Sequence, residues 1–136
     1  MRFLLIIPLL LLRVVAYSQS LQLAAQLSYG NASLANISGY VDTLNNEYAL
    51  VGTDFGMSIV DVTVPTNPVI KYTVPGDPSI WREIKTYRKF AYVVTEGGGG
   101  VTVVDLSNLP GPISYQQYTG DGPLAGQISS VHALHV

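Results

Sequence analysis

The sequence predicts an all-β chain made of propeller-type blades, each a sheet of four antiparallel strands, in a propeller these residues leave incomplete. Three observations carry that prediction. Short apolar runs recur about every eight to twelve residues between Gly, Pro, Asn and Asp turn signals. Past the first twenty residues no stretch of useful length has helical periodicity. Most telling, Glu47–Pro68 (EYALVGTDFGMSIVDVTVPTNP) is echoed by Phe90–Pro112 (FAYVVTEGGGGVTVVDLSNLPGP). Tyr48 with Tyr92, Gly56 with Gly100, Val60 with Val104, Asp61 with Asp105 and Pro68 with Pro112 all align at a spacing of 44. A period of about 40–45 residues with four strands per unit is the sequence form of a propeller blade. One blade cannot cover its own apolar faces, so each must stack on its neighbours. A small β-sandwich is the competing all-β arrangement, and the fixed register between copies speaks against it.

Composition narrows the class. Of the 136 residues 48% are hydrophobic, only 12% are charged, and none is cysteine. Soluble domains carry roughly 25% charged residues, so Ser, Thr, Asn, Gln, Gly and Tyr must supply much of this surface. That profile suits an exported β-rich protein, and one that disulfides do not brace.

Taken in order, Met1–Ser18 reads as a secretory signal peptide. Arg2 gives the positive start, Phe3–Leu12 is an apolar run of ten residues, and Ala16-Tyr17-Ser18 offers a cleavage site before Gln19. Ten residues are well short of the ~20 that span a bilayer. With Arg2 and Arg13 in the leader, the rest holds five basic and nine acidic residues. Such a balance does not favour nucleic acid, which needs a clustered basic face. Residues 19–38 are expected to be a lead-in, with an edge strand in Leu21–Leu34. Asn31-Ala32-Ser33 and Asn36-Ile37-Ser38 fit the N-glycosylation pattern and otherwise read as polar loop asparagines.

The repeats are expected over residues 39–136, with blades at about Gly39–Pro78 and Ser79–Pro123 and the start of a third. In the first blade, Tyr40-Val41 leads into the turn-rich run Asp42–Asn46, followed by strands at Tyr48–Val51, Met57–Val62 and Val69–Val74. Pro75-Gly76-Asp77-Pro78 breaks the pattern. In the second, strands are expected at Trp81–Tyr87, Phe90–Thr95, Gly100–Leu106 and Ile113–Tyr118, with Arg88-Lys89 as a charged two-residue turn. A ninth strand is expected from Val131 to Val136.

At this level of detail the repeats resemble a known family. Met57-Ser58-Ile59-Val60-Asp61 and Val101-Thr102-Val103-Val104-Asp105 look like the LVIVD repeat. Trp81-Arg82-Glu83-Ile84-Lys85-Thr86-Tyr87 is similar to the WRDIKVY segment of choice-of-anchor B proteins, and Val131-His132-Ala133-Leu134 to the opening of their third blade, with Ala133 in place of the usual asparagine. The resemblance covers most of Gly39–Pro112. It implies a secreted or surface-attached bacterial β-propeller with an anchoring signal at its C-terminus, and this chain as an N-terminal piece. It carries over no catalytic residue.

The residues themselves put forward several chemistries, none of which assembles. Gly97–Gly100 suggests a phosphate loop, but a strand follows in place of a helix and no Gly-Lys-Ser/Thr is present, so a hairpin turn is the better reading. Asp61 and Asp105 each end the same strand without a second carboxylate at calcium-loop spacing; capping the following turn accounts for both. His132 and His135, the only histidines, would point to opposite faces of a strand and converge on nothing. No Gly-x-Ser-x-Gly elbow accompanies them. Arg82, Lys85, Arg88 and Lys89 form the only basic cluster, diluted by Glu83 and read as a solvated hairpin. Trp81 beside Arg82 either lines a binding surface or packs between layers. No catalytic residue, cofactor or metal ligand is therefore assigned. The expected function is a secreted or cell-surface, non-enzymatic scaffold that binds a protein or glycan through its loops, touching membrane only during export or through an anchor. The alternative is part of a secreted propeller hydrolase or lyase whose catalytic groups come from several blades.

Overall fold

The computed structural model describes residues 21–136, so the expected signal peptide lies outside the described residues. Eight strands form two meanders. The first sheet runs β1 (Leu34–Val41), β2 (Glu47–Thr53), β3 (Gly56–Asp61) and β4 (Val69–Pro75); the second runs β5 (Arg82–Tyr87), β6 (Phe90–Thr95), β7 (Val101–Asp105) and β8 (Ser114–Tyr118). Each sheet is antiparallel with strands in sequential order. The one helical turn among the described residues is a 3-10 segment at Gly122–Leu124. Among the described residues no helix is long and apolar enough to cross a membrane.

The two ends of each hairpin are set by the same two devices. Asp61 Oδ1 accepts from Thr63 N at 3.0 Å and Asp105 Oδ1 from Ser107 N at 2.9 Å, so both aspartates cap the turn that follows their strand. At the other end, a Cβ on Gly56 would stand 2.1 Å from Val74 O, and one on Gly100 2.3 Å from Tyr118 O. Both glycines also have positive φ, +147° and +67°. Any other residue there would collide with the outer strand, which is why glycine recurs at this point of the repeat.

Pairing corrects the expected register in part. Val60 with Val104 and Asp61 with Asp105 stand at equivalent positions, but Asp61 pairs with Tyr48 whereas Asp105 pairs with Phe90, not Tyr92. The counterpart of Tyr48 is therefore Phe90, and that of Thr53 is Thr95. The second hairpin loop is longer by two residues, Glu96–Gly99 against Asp54-Phe55. Inserted loop residues leave the ladders intact and slide one strand's numbering past the other's.

Stacking of the two sheets distinguishes blades from a sandwich. One core holds Tyr48, Leu50, Met57, Ile59 and Val74 of the first sheet against Ile84, Ala91, Val93 and Val104 of the second, closed by Leu106 and Leu109. Each Leu, Ile, Val or Met among them contributes about 1.5–3 kcal/mol when fully buried. The counterparts of Ala91, Val93 and Val104 are Ala49, Val51 and Val60, which alternation places on the far face of the first sheet. Equivalent faces thus point the same way, as in stacked blades. In a sandwich they would face each other. β5 lies along β1 and β2, making the first strands the closest approach.

Polar bonds fix that approach. Asn36 Oδ1 accepts from Ile84 N at 3.2 Å and Gly39 O from Thr86 Oγ1 at 3.3 Å. Further out, Tyr72 Oη donates to Pro110 O at 3.0 Å. Asn36 is therefore a strand residue spanning the two sheets, in contrast to the loop asparagine expected; Asn31 does lie in a turn.

Two expected strands are absent. Residues 21–33 form no ladder, and Leu21 and Leu23 stand exposed; the first strand begins instead at Leu34, within the expected lead-in. Leucines alternating with glutamines make a strand only where a sheet edge is available to pair with. Residues 131–136 are likewise unpaired, yet their docking repeats that of β5. Leu134 N donates to Glu83 Oε2 at 2.8 Å, and Glu83 is the counterpart of Asn36. Val131 N donates to Thr95 O at 3.1 Å, the counterpart of the Thr53 carbonyl that Arg82 holds. This segment takes the place on the second sheet that β5 takes on the first, without a neighbour to complete a ladder among the described residues.

Candidate functional site at the loop end of the seam

The loops at the Thr53 and Thr95 end of the sheets meet along the linker Gly76–Trp81. Gly76 N donates to Phe55 O at 2.9 Å and Ser79 N to Asp54 O at 2.8 Å, tying the linker to the first hairpin. A Cβ on Gly97 would stand 2.6 Å from Pro78 O, so the second hairpin packs against the linker just as closely. Ser79 Oγ accepts from Trp81 N and donates to Trp81 O, both at 3.0 Å. Pinned in this way, Trp81 is 61% exposed, with Phe55 and Ile80 similarly open at the same end. Trp81 therefore does not pack between layers. A large aromatic held out by an ordered loop is the arrangement that binding surfaces use.

Beneath this surface lies Arg82, which is buried, contrary to the solvated cluster expected of it. Its Nε donates to Thr53 O at 2.8 Å and its Nη2 to Asp77 O at 2.6 Å, crossing from the second sheet to the first sheet and the linker. Burial lowers its pKa, opposed by the charges of Asp77 and Asp54. Asp54 Oδ1 is itself buried with no partner among the described residues. The remaining cations do lie at the surface. Lys85 Nζ sits 2.9 Å from Glu83 Oε1, and Arg88 and Lys89 lie over the Tyr87 and Phe90 rings at 5.3 and 5.5 Å. They form no common face for a polyanion.

The other candidates separate. Gly97–Gly100 is a hairpin loop, with Gly98, Gly99 and Gly100 all at positive φ. His132 Nδ1 pairs with Glu96 Oε1, while His135 is exposed and apart. Glu83 is drawn below the usual carboxylate range by the hydrogen bonds from Lys85 and Leu134 N. At the opposite end of the sheets Asp42 accepts from Leu44 N at 2.8 Å, Asn46 N at 2.9 Å, Asn46 Nδ2 at 2.8 Å and Tyr48 Oη at 3.1 Å. Burial pushes the Asp42 carboxyl up, and these four bonds more than offset it, leaving its pKa lowered. Tyr48 is pushed up to about 12 by burial and by its bond to Asp42. The cluster closes a turn, and all four acceptor bonds go to structure. Among the described residues no three His, Cys, Asp or Glu side chains come together as a metal site would require.

Sequence reasoning missed a second feature of the seam. Pro75, Gly76 and Asp77 face Tyr115, Gln116 and Gln117 of β8 across an open groove of about 510 Å3. The available signal was β8 itself, SYQQY, a strand without aliphatic or charged residues.

Against known families, the pattern described as the LVIVD repeat matches residues 38–75 and 81–119, one match for each sheet. The chain belongs to the LVIVD-repeat family. Each match falls on one meander, the first starting midway along β1, so the LVIVD repeat is here a four-stranded blade. No curated protein and no solved structure matches the chain significantly.

Proposed function

We propose that this LVIVD chain is part of an exported, cell-surface β-propeller of the choice-of-anchor B type that acts as a non-enzymatic binding module. The observation that supports the reading most strongly is Trp81, 61% exposed on a linker hydrogen-bonded to both hairpins it touches. A pre-ordered aromatic loses little entropy on binding, so its contact area converts efficiently into affinity. The bound partner is a protein or glycan of the extracellular space, met at the loop end of the seam. The leader Met1–Ser18 and the low share of charged residues, 12%, support export.

Trp81 is the chain's single tryptophan and hence its own reporter. The test is co-sedimentation of the purified chain with a cell-envelope fraction, together with acrylamide quenching of its fluorescence. Binding should lower the quenching constant several-fold, and Trp81→Ala should abolish sedimentation while leaving far-UV dichroism unchanged. A variant that sediments as well as wild type would refute the reading.

A further inference from the structure

We infer that the groove between the Pro75–Asp77 corner and β8 binds a neutral sugar ring, an inference that rests on the binding-module reading and names its ligand class. Its starting point is β8. Ser114–Tyr118 is an outer edge strand with every residue exposed and no charge. Edge strands are normally guarded by lysine, proline or a bulge, because unpaired backbone invites association. This one carries hydroxyl and amide groups only. Tyr- and Ser-rich surfaces of that kind are adapted to recognition.

Register decides which side chains meet the groove. Tyr115 pairs with Val104 and Gln117 with Thr102, and Val104 belongs to the core between the sheets. Alternation therefore turns Tyr115 and Gln117 toward the seam. Their counterparts in the first sheet are Ile70 and Thr73, so neither is required by the blade. Across the groove Asp77 gives Arg82 its backbone carbonyl, and its carboxylate lies beside Gly98 and Gly99. Gly99 sits between the two sides. A Cβ there would lie 3.0 Å from Asp77 Oδ2 and 2.8 Å from Gln117 Nε2. The carboxylate and the amide thus converge on one small space that glycine keeps open.

The chemistry of this lining selects its ligand. The Gln117 amide and the Tyr115 phenol each donate and accept, and the carboxylate accepts. Adjacent sugar hydroxyls, which also donate and accept, answer that set completely. The half-exposed Tyr115 ring supplies an apolar face for the C–H side of the ring. An anion would meet Asp77 with no cation to receive it, since Arg82 is turned inward. An ammonium only donates, and would leave the amide N–H groups unanswered.

The test is saturation-transfer NMR of the full chain with neutral oligosaccharides (cello-, xylo-, manno- and maltohexaose), with heparin and a lysine hexapeptide as charged controls. Transfer to at least one neutral oligosaccharide is expected, with Kd raised tenfold or more by Tyr115→Ala and by Gln117→Ala. Both sites are exposed, and unchanged dichroism would verify folding. Transfer to none of the four, transfer only to a charged control, or binding that both variants retain would overturn the inference. Envelope binding lost in Trp81→Ala but retained in both groove variants would leave the binding-module reading standing alone.

Discussion

Arg82→Met is the perturbation that most directly tests how the two sheets are joined. The substitution keeps the length and apolar stem of the side chain and removes only the guanidinium. Two carbonyls lose their donor, Thr53 O at 2.8 Å and Asp77 O at 2.6 Å. A hydrogen bond from a charged group is worth about 1.5–3 kcal/mol net. Removing both would cost about 3–6 kcal/mol were the guanidinium's own desolvation not relieved. Burial already lowers the Arg82 pKa, so part of that cost is recovered, and the net loss is about 2–4 kcal/mol. For a domain of this size each kcal/mol moves Tm by roughly 3–6 °C. A fall of about 6–24 °C is therefore expected, read by far-UV dichroism of wild type and variant side by side.

Location matters as much as size. Amide exchange should rise first at Ile84, whose N–H bridges to Asn36 across the seam, and in the Gly76–Trp81 linker. Lys89→Ala is the control: it removes a cation lying over Phe90 at the surface and should change stability by about 0.5 kcal/mol or less. A drop in Tm under 3 °C for Arg82→Met, or one matched by Lys89→Ala, would refute the account of Arg82 as the clamp between blades.

Three further predictions follow from the same geometry. Gly56→Ala should cost at least about 2–3 kcal/mol, since it adds both a positive-φ strain and a Cβ aimed 2.1 Å from Val74 O; urea denaturation measures it, and a loss below 1 kcal/mol would show that β4 yields freely. Tyr48, whose folded pKa of about 12 exceeds the unfolded value near 10, contributes stability that is whole below pH 10 and lost as pH rises through 12, about 2–3 kcal/mol in all. Tyr48→Phe should flatten that alkaline limb of the pH–stability curve. Asp42 has the opposite sign: its lowered pKa supplies stability above about pH 4 that disappears on acidification through the folded pKa.

The sequence made the blade legible because alternation and turn chemistry are local. The Val-Asp strand ends, the Arg88-Lys89 turn and the recurring Gly56 and Gly100 all stand where the repeat put them. Matching Tyr48 to Tyr92 failed because like residues two apart on one strand share a face, so residue identity cannot choose between them; only the ladder to Asp105 does. Arg82 looked solvated because it adjoins Lys85, Arg88 and Lys89 in sequence. Its burial comes from the first sheet, 29 residues earlier at Thr53. Asn36 was read as a loop residue for the same reason, its partner lying 48 residues on. The groove was illegible because its walls are drawn from two blades.

Comparing the two copies separates what the blade needs from what this chain adds. Positions that agree, Gly56 with Gly100, Asp61 with Asp105 and Thr53 with Thr95, each answer a steric or hydrogen-bonding demand that arises once per blade. Binding a ligand is not a per-blade demand, so its residues should fall where the copies differ. Differences do cluster. The hairpin with two extra residues, the Tyr115 and Gln117 pair in place of Ile70 and Thr73, and the linker bearing Trp81 all border the same end of one seam. Glu83 in place of Asn36 lies at the next seam, where it holds Leu134 N through a carboxylate that Lys85 keeps ionised. The copies differ at the opposite end too, where the five-residue turn Asp42–Asn46 stands against Arg88-Lys89, but there the added residues go into turn bonds to the Asp42 carboxylate. On the proposed binding-module reading, recognition would fall at the loop end beside Trp81, and this argument does not depend on how exposed that residue is.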